Sequence, residues 1–335
     1  MFNRYSRQII FPGIGEKGQH KLSQSNVVLI GCGALGTIIA TSLVRAGVGR
    51  ISIIDRDFIE YHNLQRQVIF DEEDIKNQLP KAIAAERHLK KVNSSVEIRG
   101  IVADVNYTNV ERLVCDADII LDGLDNFETR FLINDVALKY NIPWVYGGAI
   151  SSLGMMMTII PHQTACFRCI MPGEARGTVL TCDTAGVISP APTIIGALQT
   201  AAAMKILVGS EDINPGLTTI DVWQGSFHHL ETSRRPDCPA CLGNYEFLDG
   251  RAGEKTTLLC GQNSVQVLNH NIERLSLEEL AVHLRPIGEV SYNEFMLHVI
   301  VDNQEMFVFP DGRAIVKNTV DESLARGLYA KYIGV

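Results

Sequence analysis

Val27-Val28-Leu29-Ile30-Gly31-Cys32-Gly33-Ala34-Leu35-Gly36 decides the fold of this chain. A short apolar run enters Gly31-x-Gly33-x-x-Gly36, and a helical stretch follows that ends near Gly47. This order predicts a buried strand turning through a glycine loop into a helix. The glycines permit a tight turn and bring backbone amides close to an anionic group, while the helix N-terminus favours the anion's charge. Ala34 is tolerated in such a loop where its φ is negative.

Outward from that loop, apolar runs and helical patterns alternate from about residue 26 to about residue 150, which predicts a parallel α/β sheet of the doubly wound, Rossmann-like kind. Ile51 to Ile54 is the second strand and ends in Asp55. Val96–Val102, Ile119–Asp122 and Trp144–Tyr146 read as further strands, with helices over Lys81–Lys91 and Glu128–Lys139 between them. Beyond Ser151 the chain predicts apolar strands, an exposed loop from Met171 to Pro192 rich in Gly, Thr and Pro, and an Ala-rich helix ending near Val208. From about Gly250 it turns strand-rich, with Pro310-Asp311-Gly312 as a hairpin turn and a closing helix near Glu322–Tyr332. Two domains are therefore expected: a larger α/β domain over residues 1–248, and a small α+β domain over 249–335 to which the sequence assigns no role.

With 335 residues, 46% of them hydrophobic and 20% charged, the chain is long enough to bury a full core and a second small one. A formal charge of -8 argues against a nucleic-acid partner, because phosphate binding needs a basic patch. The apolar run Gly147 to Ile160 is interrupted by Ser151, Ser152 and Gly154, so no membrane span is expected. The first residues lack the apolar core of an export signal, which predicts a cytoplasmic protein. In that setting the eight cysteines read as ligands or reactive thiols rather than disulfides.

Chemistry concentrates in a few places. Asp55 lies roughly twenty residues past the glycine loop, where a carboxylate can accept hydrogen bonds from ribose hydroxyls. The glycines and Asp55 together indicate a nucleotide without choosing between ATP and a nicotinamide. Past Asp55 come Asp57, then Asn63-Leu64-Gln65-Arg66-Gln67, then Pro80-Lys81 opening a helix. Arg66 and Lys81 offer two permanent positive charges near the sugar site, which shifts the reading towards a triphosphate. Asp122-Gly123-Leu124-Asp125-Asn126 ends another strand, at the edge of an open sheet where ligands bind, and Asp125 is the candidate for the magnesium that accompanies ATP. Cys166-x-x-Cys169 and Cys238-x-x-Cys241 can each present two thiolates to one zinc in a closed tetrahedral site. A site with no open position is structural, and here it would clamp the segment after Cys169 to the end of the domain.

These residues, together with Arg4-Tyr5-Ser6-Arg7-Gln8 and Thr181-Cys182, closely resemble the ThiF/MoeB/HesA family of E1-like enzymes, over about residues 3 to 245 and in family order. The resemblance implies adenylation of the C-terminal Gly-Gly carboxylate of a ubiquitin-like sulfur-carrier protein, with ATP as substrate and loss of pyrophosphate before a separate donor supplies sulfur. It also implies roles for particular residues: Gly31, Gly33, Ala34, Gly36, Asp55, Asp57, Gln65 and Asn126 around the nucleotide, Asn63, Arg66 and Lys81 on the phosphates, and Asp125 at magnesium. Arg7 would reach into a neighbouring subunit's site, which implies a homodimer. Cys182 would sit in the crossover loop where E1-like enzymes carry a thiol that can link to the carrier. The thiazole and molybdopterin carriers both suit this chemistry, with overall resemblance leaning to the thiazole branch. A nicotinamide oxidoreductase would leave Arg66, Lys81 and Asp125 without a shared purpose, and a non-catalytic scaffold of the same fold is the remaining alternative.

Overall fold

The computed structural model describes residues 4–172, 185–251, 256–259, 264–268 and 275–334. The chain forms two compact units, Met1–Ala252 and Gly253–Val335, a division that the sequence places at 248/249.

The first unit is built on one sheet of β1 (Asn26–Ile30), β2 (Arg50–Asp55), β3 (Glu97–Val102), β4 (Ile119–Asp122), β5 (Trp144–Ile150), β6 (Leu153–Ile159), β7 (Gly216–Asp221) and β8 (Ser226–Leu230). Their spatial order is β3-β2-β1-β4-β5-β6-β7-β8. Pairing is parallel from β3 through β5 and antiparallel from β5 to β8. Every residue of β1 is buried, as expected for a central parallel strand covered on both faces. The chain runs from β1 outward to β3 and then crosses back to lay β4 on the other flank of β1. The crevice beyond the carboxyl ends of β1 and β4 is thus the topological switch point, the place where open α/β sheets bind ligands.

Two loops meet there, backbone against backbone. Gly31 has φ of 90°, a left-handed conformation natural to glycine. A Cβ added at Gly36 or at Gly123 would overlap the Gly31 carbonyl, and one at Gly31 would lie 2.6 Å from the Gly123 carbonyl. The Gly123 amide donates to Ile30 O at 2.8 Å, and the Gly31 amide donates to Ile54 O at 2.8 Å. The glycine loop after β1 and the acidic loop after β4 are therefore held in direct contact. Ala34 is the first residue of the helix Ala34–Ala46 and is absent from the positive-φ residues, so its methyl group is tolerated.

The helix Pro190–Val208 is the one described helix long and apolar enough to cross a membrane by length and composition. It begins within the stretch expected as loop, and proline fits a first helical turn because its missing N–H has no intrahelical partner there. It packs against β4, β5, β6 and the helix Ala34–Ala46, burying Ala191, Ile195, Gly196 and Ala203. Its buried Gln199 donates to Asp122 O at 2.8 Å and to Val145 O at 3.1 Å, joining the helix to β4 and β5. The helix Phe127–Tyr140 holds the end of the unit in place: Asp135 accepts from the Phe247 and Leu248 amides, and Phe131 stacks on Phe247 at 4.8 Å.

The second unit is a sheet of β9 (Thr256–Leu259), β10 (Ser264–Val267), β11 (Glu289–Tyr292), β12 (Leu297–Val301), β13 (Gln304–Val308) and β14 (Ala314–Lys317), ordered β11-β12-β13-β14-β10-β9 with antiparallel pairings. Helices Leu277–Leu284 and Glu322–Tyr332 bring Leu280, Leu284 and Leu328 into one core with Val299, Met306 and Val316. The expected turn joins β13 to β14, with Gly312 at φ of 79° and its carbonyl accepting from Tyr329.

The contact between the two loops yields a direct test. Gly36→Ala should destabilise the chain by about 3 kcal/mol or more, because the added methyl group meets backbone that cannot yield. Gly327→Ala adds its methyl group to open space on a helix, and is expected to be neutral or to stabilise by about 0.5–1 kcal/mol. Denaturant midpoints of the two variants check this contrast.

Candidate active site

Asp55 ends β2 beside the glycine loop, and it is buried. Its carboxylate accepts from the Cys32 amide at 2.6 Å and from the Asp57 amide at 2.7 Å, so it ties the tips of β1 and β2 together. Burial pushes the Asp55 carboxyl up, and the charge of Lys81 opposes that rise.

Lys81 reaches the same place through a local pairing. Phe58 and Pro80 form an antiparallel bridge, and the Lys81 amide donates to Asp57 O at 2.9 Å. Pro80 precedes the helix Lys81–Val92 in an extended conformation, so the helix opens on Lys81 with its ammonium facing the end of β2. Lys81 is 7% exposed, and its Nζ lies 3.0 Å from Asp57 Oδ2. Burial works against its charge, but Asp57 and Asp55 outweigh burial and hold its pKa above the usual lysine range, with Asp125 adding to them. A cation kept charged out of water is suited to meeting phosphate.

Asp125 follows β4 and is exposed. It does not cap the following helix: Asn126 does, accepting from the Thr129 amide at 2.9 Å. The Asp125 carboxylate faces the crevice region closely enough for its charge to favour the cationic forms of Lys81, Arg56 and Arg130. Among the described residues its carboxylate takes no hydrogen bond, so at the switch point it is available as a divalent-cation ligand.

The structure brings together Gly31, Gly33, Gly36, Asp55, Asp57, Lys81 and Asp125. Other candidates lie differently. Asn63 is buried, and its Oδ1 accepts from the Glu60 amide at 3.0 Å, so part of its side chain shapes its own turn. Gln65 is exposed, with Nε2 3.5 Å from Val187 O. Arg66 donates to His62 O at 2.7 Å, which turns its guanidinium back onto its own loop rather than toward Lys81. Arg7 is exposed on the helix Ser6–Ile10. Cys182 and the proposed crossover loop lie outside the described residues.

Sequence reasoning missed several members. Gln67 is buried beside Gly33, with Oε1 lacking a partner among the described residues. Arg56 sits between Asp55 and Asp57, with Nη1 2.7 Å from Asp104 Oδ1. Arg130 forms a buried ion pair with Asp122, Nε to Oδ2 at 2.9 Å. Their only early signal was position: Arg56 between two acids, Arg130 one turn after the acidic loop. Removing one partner of such a buried pair costs about 3–5 kcal/mol.

Away from the crevice, the two C-x-x-C motifs converge. Sγ separations are 3.7 Å for Cys166–Cys169, 3.6 Å for Cys166–Cys238, 3.6 Å for Cys169–Cys241 and 3.5 Å for Cys166–Cys241. Tetrahedral zinc–thiolate bonds of about 2.3 Å require sulfurs about 3.8 Å apart. The donor set therefore fits one metal ion. The Arg235 amide also points at Cys169 Sγ, at 3.4 Å. Phe167, within the first motif, packs on Tyr146, Phe131 and Trp144, and so joins the cysteine cluster to the sheet core.

Comparison with known proteins agrees with this arrangement. The model of the ThiF family matches residues 5–240. The sulfur carrier protein ThiS adenylyltransferase of Bacillus subtilis strain 168 is 42% identical over 338 aligned residues, covering all of both chains. Its Escherichia coli K12 namesake is 34% identical over 244 residues, 72% of this chain and 96% of the relative. Among solved structures, E. coli MccB with ATP superposes with a TM-score of 0.63 at 27% identity, covering 71% of this chain and 74% of that one. On these grounds the chain belongs to the ThiF family.

Proposed function

We propose that this chain is an ATP-dependent adenylyltransferase that activates the C-terminal glycine carboxylate of a ubiquitin-like sulfur-carrier protein of the ThiS type. The observation that carries the reading is the meeting of a glycine loop, a buried and charged Lys81 and an uncommitted Asp125 at one switch-point crevice. A nicotinamide enzyme would have no use for the last two. The ThiS assignment is supported by the B. subtilis relative, which matches along the whole chain, the second unit included. A molybdopterin-pathway carrier offers the same carboxylate chemistry, and the carrier that supports turnover decides between them.

In this reading the carrier's carboxylate attacks the α-phosphorus of ATP. The bond from that phosphorus to the bridging oxygen breaks, and pyrophosphate leaves with the electron pair. The protein's work is to hold the reactants in line and to meet developing charge with fixed dipoles and cations. The amides of the Gly31–Gly36 loop and the N-terminus of the helix Ala34–Ala46 face the phosphates. Asp55 receives the ribose through lone pairs left by its two backbone contacts. Lys81 moves between Asp57 and the phosphates, and Arg66 and Asn63 close over them from their turn. Magnesium, held by Asp125, supplies charge neutralisation on the phosphate oxygens when bound. Arg7 completes the neighbouring site in a homodimer, and Cys182 is available for a link to the carrier. Cys166, Cys169, Cys238 and Cys241 hold a structural zinc that takes no part in these steps. Use of ATP and of unoxidised thiols suits a cytoplasmic setting.

Exchange of labelled pyrophosphate into ATP, dependent on a Gly-Gly-tailed carrier, is the deciding assay. Asp125→Ala should lower exchange about 100-fold or more while the zinc content stays unchanged. Exchange at the parental rate would remove Asp125 from the chemistry, and absence of exchange with every such carrier would favour a non-catalytic scaffold. Cys238→Ser should lose the bound zinc and lower the melting temperature, since a closed thiolate site contributes folding free energy directly. Metal analysis alongside thermal unfolding reads both effects.

A further inference from the structure

Arg130 is 4% exposed, and its guanidinium donates to one short loop and to the neighbouring strand. Nε donates to Asp122 Oδ2 at 2.9 Å, and Nη2 donates to Leu124 O at 2.6 Å and to Gly147 O at 2.8 Å. Asp122 Oδ1 accepts from the Leu124 amide at 2.8 Å. Both the N–H and the C=O of Leu124 are thus fixed by one buried ion pair, and the Leu124 carbonyl belongs to the peptide that enters Asp125. The rings of Phe127 and Tyr146 flank the guanidinium, with centroids at 5.7 Å and 5.1 Å.

We infer that Arg130 is a positioning residue that fixes the Asp125 carboxylate for the divalent cation accompanying ATP, by clamping the Leu124 peptide between Asp122 and β5. The inference rests on the reading of Asp125 as the cation's ligand. Arginine suits the task because a rigid fork serves Asp122, Leu124 and Gly147 at once, whereas a lysine ammonium is a single point on a flexible stem. Partners of metal ligands act in this way generally, and their loss weakens metal affinity about 10–100-fold.

The test is calorimetric binding of ATP to the full chain, with and without magnesium, together with thermal unfolding. Arg130→Lys keeps the charge. The double variant Asp122→Asn with Arg130→Gln removes both buried charges, so that neither is left buried without its partner. In a folded variant, affinity for metal-free ATP should stay within about threefold of the parent, while the tightening given by magnesium falls about tenfold or more. In pyrophosphate exchange, the magnesium concentration that gives half-maximal rate should rise about tenfold or more. Unchanged tightening by magnesium in the folded variants would overturn the inference, as would loss of metal-free ATP binding in step with thermal stability. Asp125→Ala separates the two claims. Where that variant keeps the tightening, the assignment of Asp125 fails; where it loses the tightening and Arg130→Lys does not, the assignment stands and the role of Arg130 falls.

Discussion

The apposition of Gly31, Gly36 and Gly123 is the constraint on which the site depends. With no side chain at these positions, the loops after β1 and β4 approach until backbone meets backbone. That contact brings the amide-rich loop and the acidic loop to one crevice, where the order β3-β2-β1-β4 reverses direction. Spread by even one methyl group, the crevice would hold the phosphate-facing amides and Asp125 at the wrong separation. Packing at the fold level therefore sets the geometry of the chemistry.

Around this contact the charges are arranged in pairs. Lys81 rests on Asp57, Arg56 on Asp104 and Arg130 on Asp122. Each pair lets a charge survive burial, since an isolated one would be expelled or neutralised. The pairs differ in what they leave available. Arg130 spends its hydrogen bonds on Asp122, on the loop that follows it and on β5, and the exposed Asp125 keeps its carboxylate open. Lys81 stands between these cases: its ammonium is hydrogen-bonded to Asp57 and can exchange that contact for a more highly charged phosphate.

Much of this was legible in the sequence because the glycine spacing, the strand-to-helix order and the position of Asp55 are local features. The four cysteines were paired across a long stretch by chemistry alone, and their sulfurs do converge. Gly123, Gln67, Arg56 and Arg130 were not legible, because their importance comes from what the fold lays against them. Where the Arg66 guanidinium rests was not legible either: its motif points to phosphate, and in the fold it donates to His62 O within its own loop. The helix beginning at Pro190 was read as loop at its start, because proline signals a break except in the first turn, where it fits.

The most direct measurement is a crystal structure of the full chain with ATP and magnesium. The account predicts the triphosphate along the Gly31–Gly36 amides, with Lys81 drawn from Asp57 onto it and the metal on Asp125. A nucleotide bound elsewhere, or bound here with Lys81 still on Asp57 and Asp125 in bulk solvent, would contradict it.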